Sequence, residues 1–170
     1  MNALNRFYSF LMLLSCLSML AAFATIMLGV AAREFHWDIP GLDAYAGYAI
    51  AATLFLALPG TLKRGDHIRV TLVMQRLSPR AQSILEYWCM AVASVVSVYL
   101  AWFACRLVWV SRVTHDVSPS ADASPLWIPQ LAMALGSIGL AVAFLHALWA
   151  HATGRRFFHQ ALDGEITSVE

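Results

Sequence analysis

Four long stretches of the chain carry no charged side chain, and they leave few folds open. Phe7 to Ala32 lies between Arg6 and Arg33, Ala44 to Leu62 between Asp43 and Lys63, and Tyr87 to Cys105 between Glu86 and Arg106. A last run extends from Ala123 to Gly154, where Pro125 and Pro129 hold back the continuous helix until after them. A helix needs roughly 20 residues to cross the hydrocarbon layer, and every run reaches that length. None alternates as a strand would, and lipid admits only helices or closed barrels. The expected fold is an all-α membrane protein of one domain, residues 1–170, with four transmembrane helices at about 8–32, 44–62, 84–108 and 127–151.

Composition agrees. Hydrophobic residues make up 60% of the chain and charged residues 12%, about half the roughly 25% of a soluble domain. A net charge of +1 gives no electrostatic basis for nucleic-acid binding. The first apolar run is too long for a signal-peptide core, and no A-x-A cleavage site follows, so it reads as a retained helix. Cys16, Cys89 and Cys105 fall inside apolar runs without a C-x-x-C pair, and read as small packing residues.

Basic residues set the orientation, because Lys and Arg concentrate in cytoplasmic segments. Arg6, then Lys63, Arg64, Arg69, Arg76 and Arg80, then Arg155 and Arg156 share one side; only Arg33, Arg106 and Arg112 share the other. Both termini are therefore expected inside (N-in/C-in). The connection between spans two and three adds a further feature. Val70, Met74, Leu77 and Ala81 repeat at helical spacing, and Arg69, Arg76 and Arg80 form a second stripe. This basic amphipathic segment is expected to lie in the headgroup layer, its arginines on anionic lipid. Pro79 ends it and suits the first position of the third span, with Ser78 as N-cap. His67, beside Lys63, Arg64 and Arg69, suits a structural hydrogen bond better than proton transfer.

The spans are poor in chemistry. No Asp, Glu, Lys or Arg lies in the core of any span, whereas ion-coupled carriers bury such groups. His146 and His151 share one helix, so they cannot bridge a haem between two. No G-x-S-x-G, H-E-x-x-H or Gly-rich phosphate loop occurs; neither an enzyme nor a cofactor or metal site is expected. Rows of small residues stand out instead: Ala21, Thr25 and Gly29; Ala93, Ser97, Ala101 and Cys105; Gly139, Ala143 and Ala147. Such rows let helices approach closely in lipid. Trp102, Trp109, Trp127 and Trp149, with Tyr45, Tyr48, Tyr87 and Tyr99, read as interfacial anchors.

Two elements carry a resemblance. Gly41-Leu42-Asp43-Ala44-Tyr45-Ala46-Gly47-Tyr48 and Phe55-Leu56-Ala57-Leu58 lead to Arg64-Gly65-Asp66-His67-Ile68-Arg69-Val70; later comes Pro125-Leu126-Trp127-Ile128-Pro129-Gln130, followed by Gly136. This order resembles the DctQ-type small permease subunit of TRAP (tripartite ATP-independent periplasmic) transporters. The resemblance implies a scaffold subunit in the bacterial inner membrane. Its partners would be a large DctM-type permease subunit, which carries the sodium and substrate sites, and a periplasmic solute-binding protein delivering an organic acid or similar solute. The family often has a glutamate where Ala44 stands, with Asp43 beside it here. Asp43, Arg64, His67, Arg69, Arg76, Arg80, Trp127 and Pro129 are the candidate partner and lipid contacts. The outer connections, 33–43 and 106–128, are candidate contacts for the binding protein. The competing readings are a membrane anchor of a quinone or haem redox complex, using His146, and an independent small transporter acting as a homo-oligomer.

Overall fold

The computed structural model describes residues 2–64 and 79–153. Within them lie four α-helices: α1 (Asn2–Glu34), α2 (Leu42–Arg64), α3 (Pro79–Val113) and α4 (Trp127–Ala152). All four are long and apolar enough to cross a membrane. The amphipathic stretch expected at Val70, Met74 and Leu77, and Ser78, Arg155 and Arg156, lie outside the described residues.

The helix ends follow from local chemistry. α1 and α3 each stop at a histidine in the left-handed region, His36 (φ 56°) and His115 (φ 53°). The Trp37 amide donates to the Ala32 carbonyl at 2.8 Å and the Asp116 amide to the Ser111 carbonyl at 3.0 Å. These six-to-one bonds are the Schellman closure that glycine usually makes. α2 opens after Gly41, whose φ of +83° is a conformation that glycine adopts without steric cost. α3 is described from Pro79 onward, a residue type that suits the first turn of a helix. α4 starts at Trp127, the first residue of the expected span 127–151, and so ahead of Pro129, which corrects the expectation of a helix held back until after both prolines. Pro129 occupies the third helical position, where a backbone N–H has no partner inside the helix, so the missing donor costs nothing.

The helices pack as an open row in the order α1, α2, α4, α3. The seam of α1 is Tyr8, Leu11, Ser15, Ala22 and Ala32, with Thr25 and Gly29 half-buried between them. With half-buried Ser18 between Ser15 and Ala22, these positions alternate steps of three and four, the spacing that keeps one stripe on a neighbouring helix. The Ser15 hydroxyl donates to the Thr53 carbonyl at 2.8 Å and ties α1 to α2. α3 buries Ser94, Ser97, Ala101, Ala104 and Ser111 against α4, its main neighbour among the described residues. The row expected on α3 therefore needs correcting: Ala93 is half-buried and Cys105 is exposed. A strict step of four rotates about 40° each time and leaves the seam. The row on α1 is corrected in the same way, because Ala21 is exposed and Ala22 buried. The α4 row is as expected, with Gly139, Ala143 and Ala147 all buried. All three cysteines are exposed, so they do not pack inside the chain.

α2 and α4 approach each other closely at two glycines. Pro59, fully buried inside α2, has no N–H to offer the Phe55 carbonyl. Gly136 of α4 sits directly against that carbonyl, where a methyl group would overlap it. One turn along, a methyl on Gly139 would lie 2.6 Å from Leu11 Cδ1 and 2.7 Å from Pro59 Cγ. α1, α2 and α4 thus meet around two glycines and a proline. Below them Tyr8, Leu62, Leu140 and Ala143 form an apolar cluster.

Candidate functional site

Among the described residues the side-chain to side-chain hydrogen bonds lie at the ends of the row, while serines supply the polar groups between them. Among the described residues the buried polar or charged side chains are all serines. No Lys, Arg, Asp or Glu is buried among the side chains described.

One end is built on the turn that starts α2. Tyr45 and Tyr48 project from the same face of the helix, three residues apart. The Tyr45 hydroxyl donates to Asp122 Oδ2 at 2.5 Å and the Tyr48 hydroxyl to Ser118 Oγ at 2.6 Å. Ser120 donates to the other Asp122 oxygen and accepts from the Ser118 hydroxyl at 3.0 Å. The connection between α3 and α4 is closed on itself by an isolated antiparallel bridge, Val117 with Pro125. The Leu126 amide reaches the Asp116 carbonyl at 3.0 Å. Asp122 also packs against Gly41, where an added methyl would meet Oδ1 at 2.7 Å. The donors from Ser120 and then Tyr45 hold the Asp122 carboxyl below the usual carboxylate range. The result is a latch that fastens the α3–α4 connection onto the start of α2.

The other end has a different composition. Lys63, at the end of α2, donates to Asn5 Oδ1 at 2.8 Å and lies 5.8 Å from the centre of the Tyr8 ring.

The candidate residues from the sequence divide between these ends. Asp43 lies in the first turn of α2 and pairs with Arg33 at 3.4 Å, both side chains being highly exposed. Such a pair contributes little stability. Trp127 opens α4 and lies under the Arg112 guanidinium, 5.4 Å from its ring centre; Pro129 follows in the same turn. Arg64 ends α2 and Arg80 is the second residue of α3, at the opposite end. His67, Arg69 and Arg76 lie outside the described residues. The structure therefore gathers Asp43, Trp127 and Pro129 at one end and separates them from Arg64 and Arg80.

Sequence reasoning missed the latch, although Ser118, Ser120 and Asp122 are residue types that bond nearby backbone and side chains in turns. Tyr45 and Tyr48, read as simple anchors, bond the connection as well. Tyr99 and Trp102 also depart from the anchor pattern. They lie near the middle of the α3 span, Ser83–Val113, not at its end, and are 64% and 69% exposed.

A multi-span membrane protein whose described residues bury serines as their polar side chains, and carry side-chain networks at its ends, belongs to a packing class. Its outward surface is apolar and aromatic. The family model of the DctQ component of tripartite ATP-independent periplasmic transporters matches residues 22–154, as the motifs predict. The chain belongs to that family, a transporter component and not an enzyme family. Comparison with curated proteins returns no match. Family and fold together point to a multi-pass protein of the bacterial inner membrane.

Proposed function

We infer that the chain is the small, non-conducting membrane subunit that braces a large permease subunit during sodium-coupled uptake of an organic acid or similar solute. In this reading both termini are cytoplasmic, and the latch faces the periplasm, where the solute-binding protein docks. Asp43, Trp127 and Pro129 then lie on the periplasmic side. Arg64 and Arg80 lie on the cytoplasmic side, together with the His67, Arg69 and Arg76 connection, which meets lipid. Sodium coupling and substrate recognition belong to the large subunit, so the small one needs no cofactor.

The observation that carries this reading is the open row itself. The buried positions are mostly small residues, and α3 turns large side chains outward. The Arg112–Trp127 contact fixes the α3–α4 register, and Tyr99 lies level with the middle of the α4 span, Trp127–Ala150. At that depth lipid tails offer no hydrogen-bond partner for a phenol or an indole, whereas a helix of another subunit does.

Co-purification tests it. A tagged chain co-expressed with its large subunit is expected to retain it. Trp102→Ala combined with Tyr99→Phe is expected to lower that yield, with little change in the isolated chain's melting temperature. Solute uptake by the chain alone in liposomes would overturn the scaffold reading.

A further inference from the structure

The Lys63 end carries a groove that the scaffold reading leaves unused. It has a volume of about 510 Å3, within the roughly 300–1,000 Å3 typical of small-molecule sites. Tyr8, Met12, Leu13 and Cys16 of α1 line one wall; Gly60 and Lys63 of α2 line the other. At Gly60 the two walls meet, with the Met12 side chain lying over the bare backbone and forming the groove floor. A methyl there would already lie 2.8 Å from Met12 Sδ. From Tyr8 to Cys16 the helical rise is about 12 Å, most of one leaflet's hydrocarbon depth.

Its polarity is graded. Apart from Ser9 of α1 the long axis is apolar, and the one cation among the lining residues, Lys63, stands where the α2 span ends, which is headgroup depth. Lys63 Nζ is steadied by Asn5 and by the face of Tyr8. An ammonium has three donors, so two remain beyond the bond to Asn5. α1 and α2 place their acidic residues, Glu34 and Asp43, at the opposite end, and α4 has none. A cation above a narrow apolar slot, without a neighbouring carboxylate on these helices, complements one kind of occupant.

The geometry points to a binding site for one anionic phospholipid, with its phosphate on Lys63 and the upper part of an acyl chain between α1 and α2. In the proposed orientation this is a lipid of the cytoplasmic leaflet, and that detail rests on the proposed topology. The site differs from the arginine stripe expected from the sequence of the connection, which would address the membrane surface as a whole. Here the chain holds one molecule at one place.

Native mass spectrometry of the assembled transporter, with the full chain present, tests the site. The probes are phosphatidylglycerol and phosphatidylcholine with identical acyl chains, and free glycerol phosphate as competitor. Wild-type protein is expected to retain phosphatidylglycerol about fivefold better than phosphatidylcholine, the effect of one basic residue near the membrane surface. Lys63→Gln should abolish that preference and Lys63→Arg should keep it. Gly60→Leu should lower retention of both lipids by filling the slot, and glycerol phosphate should displace neither. Equal retention of the two lipids by wild-type protein, or an unchanged preference in Lys63→Gln, overturns the site. So does displacement by glycerol phosphate. A photo-crosslinker on Cys16, with Cys89 and Cys105 replaced by serine, should capture lipid; capture of the large subunit would assign the groove to a protein contact. Retention of the large subunit is read in the same spectra, so failure of the scaffold reading is seen separately. The lipid measurement on the chain alone would then still decide the site.

Discussion

α3 and α4 are neighbours of similar apolar content, yet they occupy opposite positions in the row. Within their most apolar windows, 39% of α4 is buried and 22% of α3. α4 is flanked by α2 and α3 and presents Gly136, Gly139, Ala143, Ala147 and Ala150 as buried positions. α3 buries one narrow seam of serines and alanines and exposes Trp88, Val95, Tyr99, Trp102 and Trp109. The difference teaches that hydropathy locates a helix in the membrane without placing it in the protein. Position is decided by how many faces carry small residues, because van der Waals packing, and not hydrophobicity, joins helices in lipid.

The sharpest way to break this contrast is Gly136→Ala. With the Phe55 carbonyl in the way, it is expected to destabilise the chain by about 3 kcal/mol, the upper part of the overpacking range. Thermal unfolding in detergent, followed by tryptophan fluorescence, measures it. If the chain tolerated this methyl without loss, α4 would not be the tight centre of the row. Tyr48→Phe removes the bond to Ser118 and is expected to cost about 1 kcal/mol in the same assay.

Acid tests the latch at Asp122. Its carboxyl is held low in the folded state, so its stabilising contribution is complete above the ordinary aspartate value of about 4. That contribution is lost as pH falls below this value and through the lowered folded one. Melting temperature should therefore lose an acid-sensitive component in Asp122→Asn; an identical acid profile in both proteins would argue against the latch. At the small end of the scale, Val95→Ala on the outward face of α3 should stay within about 0.5 kcal/mol in the isolated chain. A larger loss would mean that this face is packed.

The four spans were legible because charge interrupts them. The α4 row was legible too, since a helix packed on two sides tolerates drift around its axis. The α3 and α1 rows were misread by a fraction of a turn, because their single seams alternate steps of three and four. The latch was hidden for a different reason. Tyr45 and Asp122 are 77 positions apart, and no local pattern records a partner at that distance. His36 and His115 also escaped notice, since left-handed helix ends are sought at glycine or asparagine.

The fit of Gly136 against Phe55 also determines what the row cannot do. Sliding α4 by one turn, about 5.4 Å, would bring Leu140 to the place of Gly136, where even a methyl group has no room. α2 and α4 are therefore keyed axially, like a shaft in its slot, and the key engages α1 through Leu11 as well. Shear cannot be absorbed between these helices. Whatever travels through the membrane beside this subunit must slip along its rim, while the three keyed helices stay in register as a single rail.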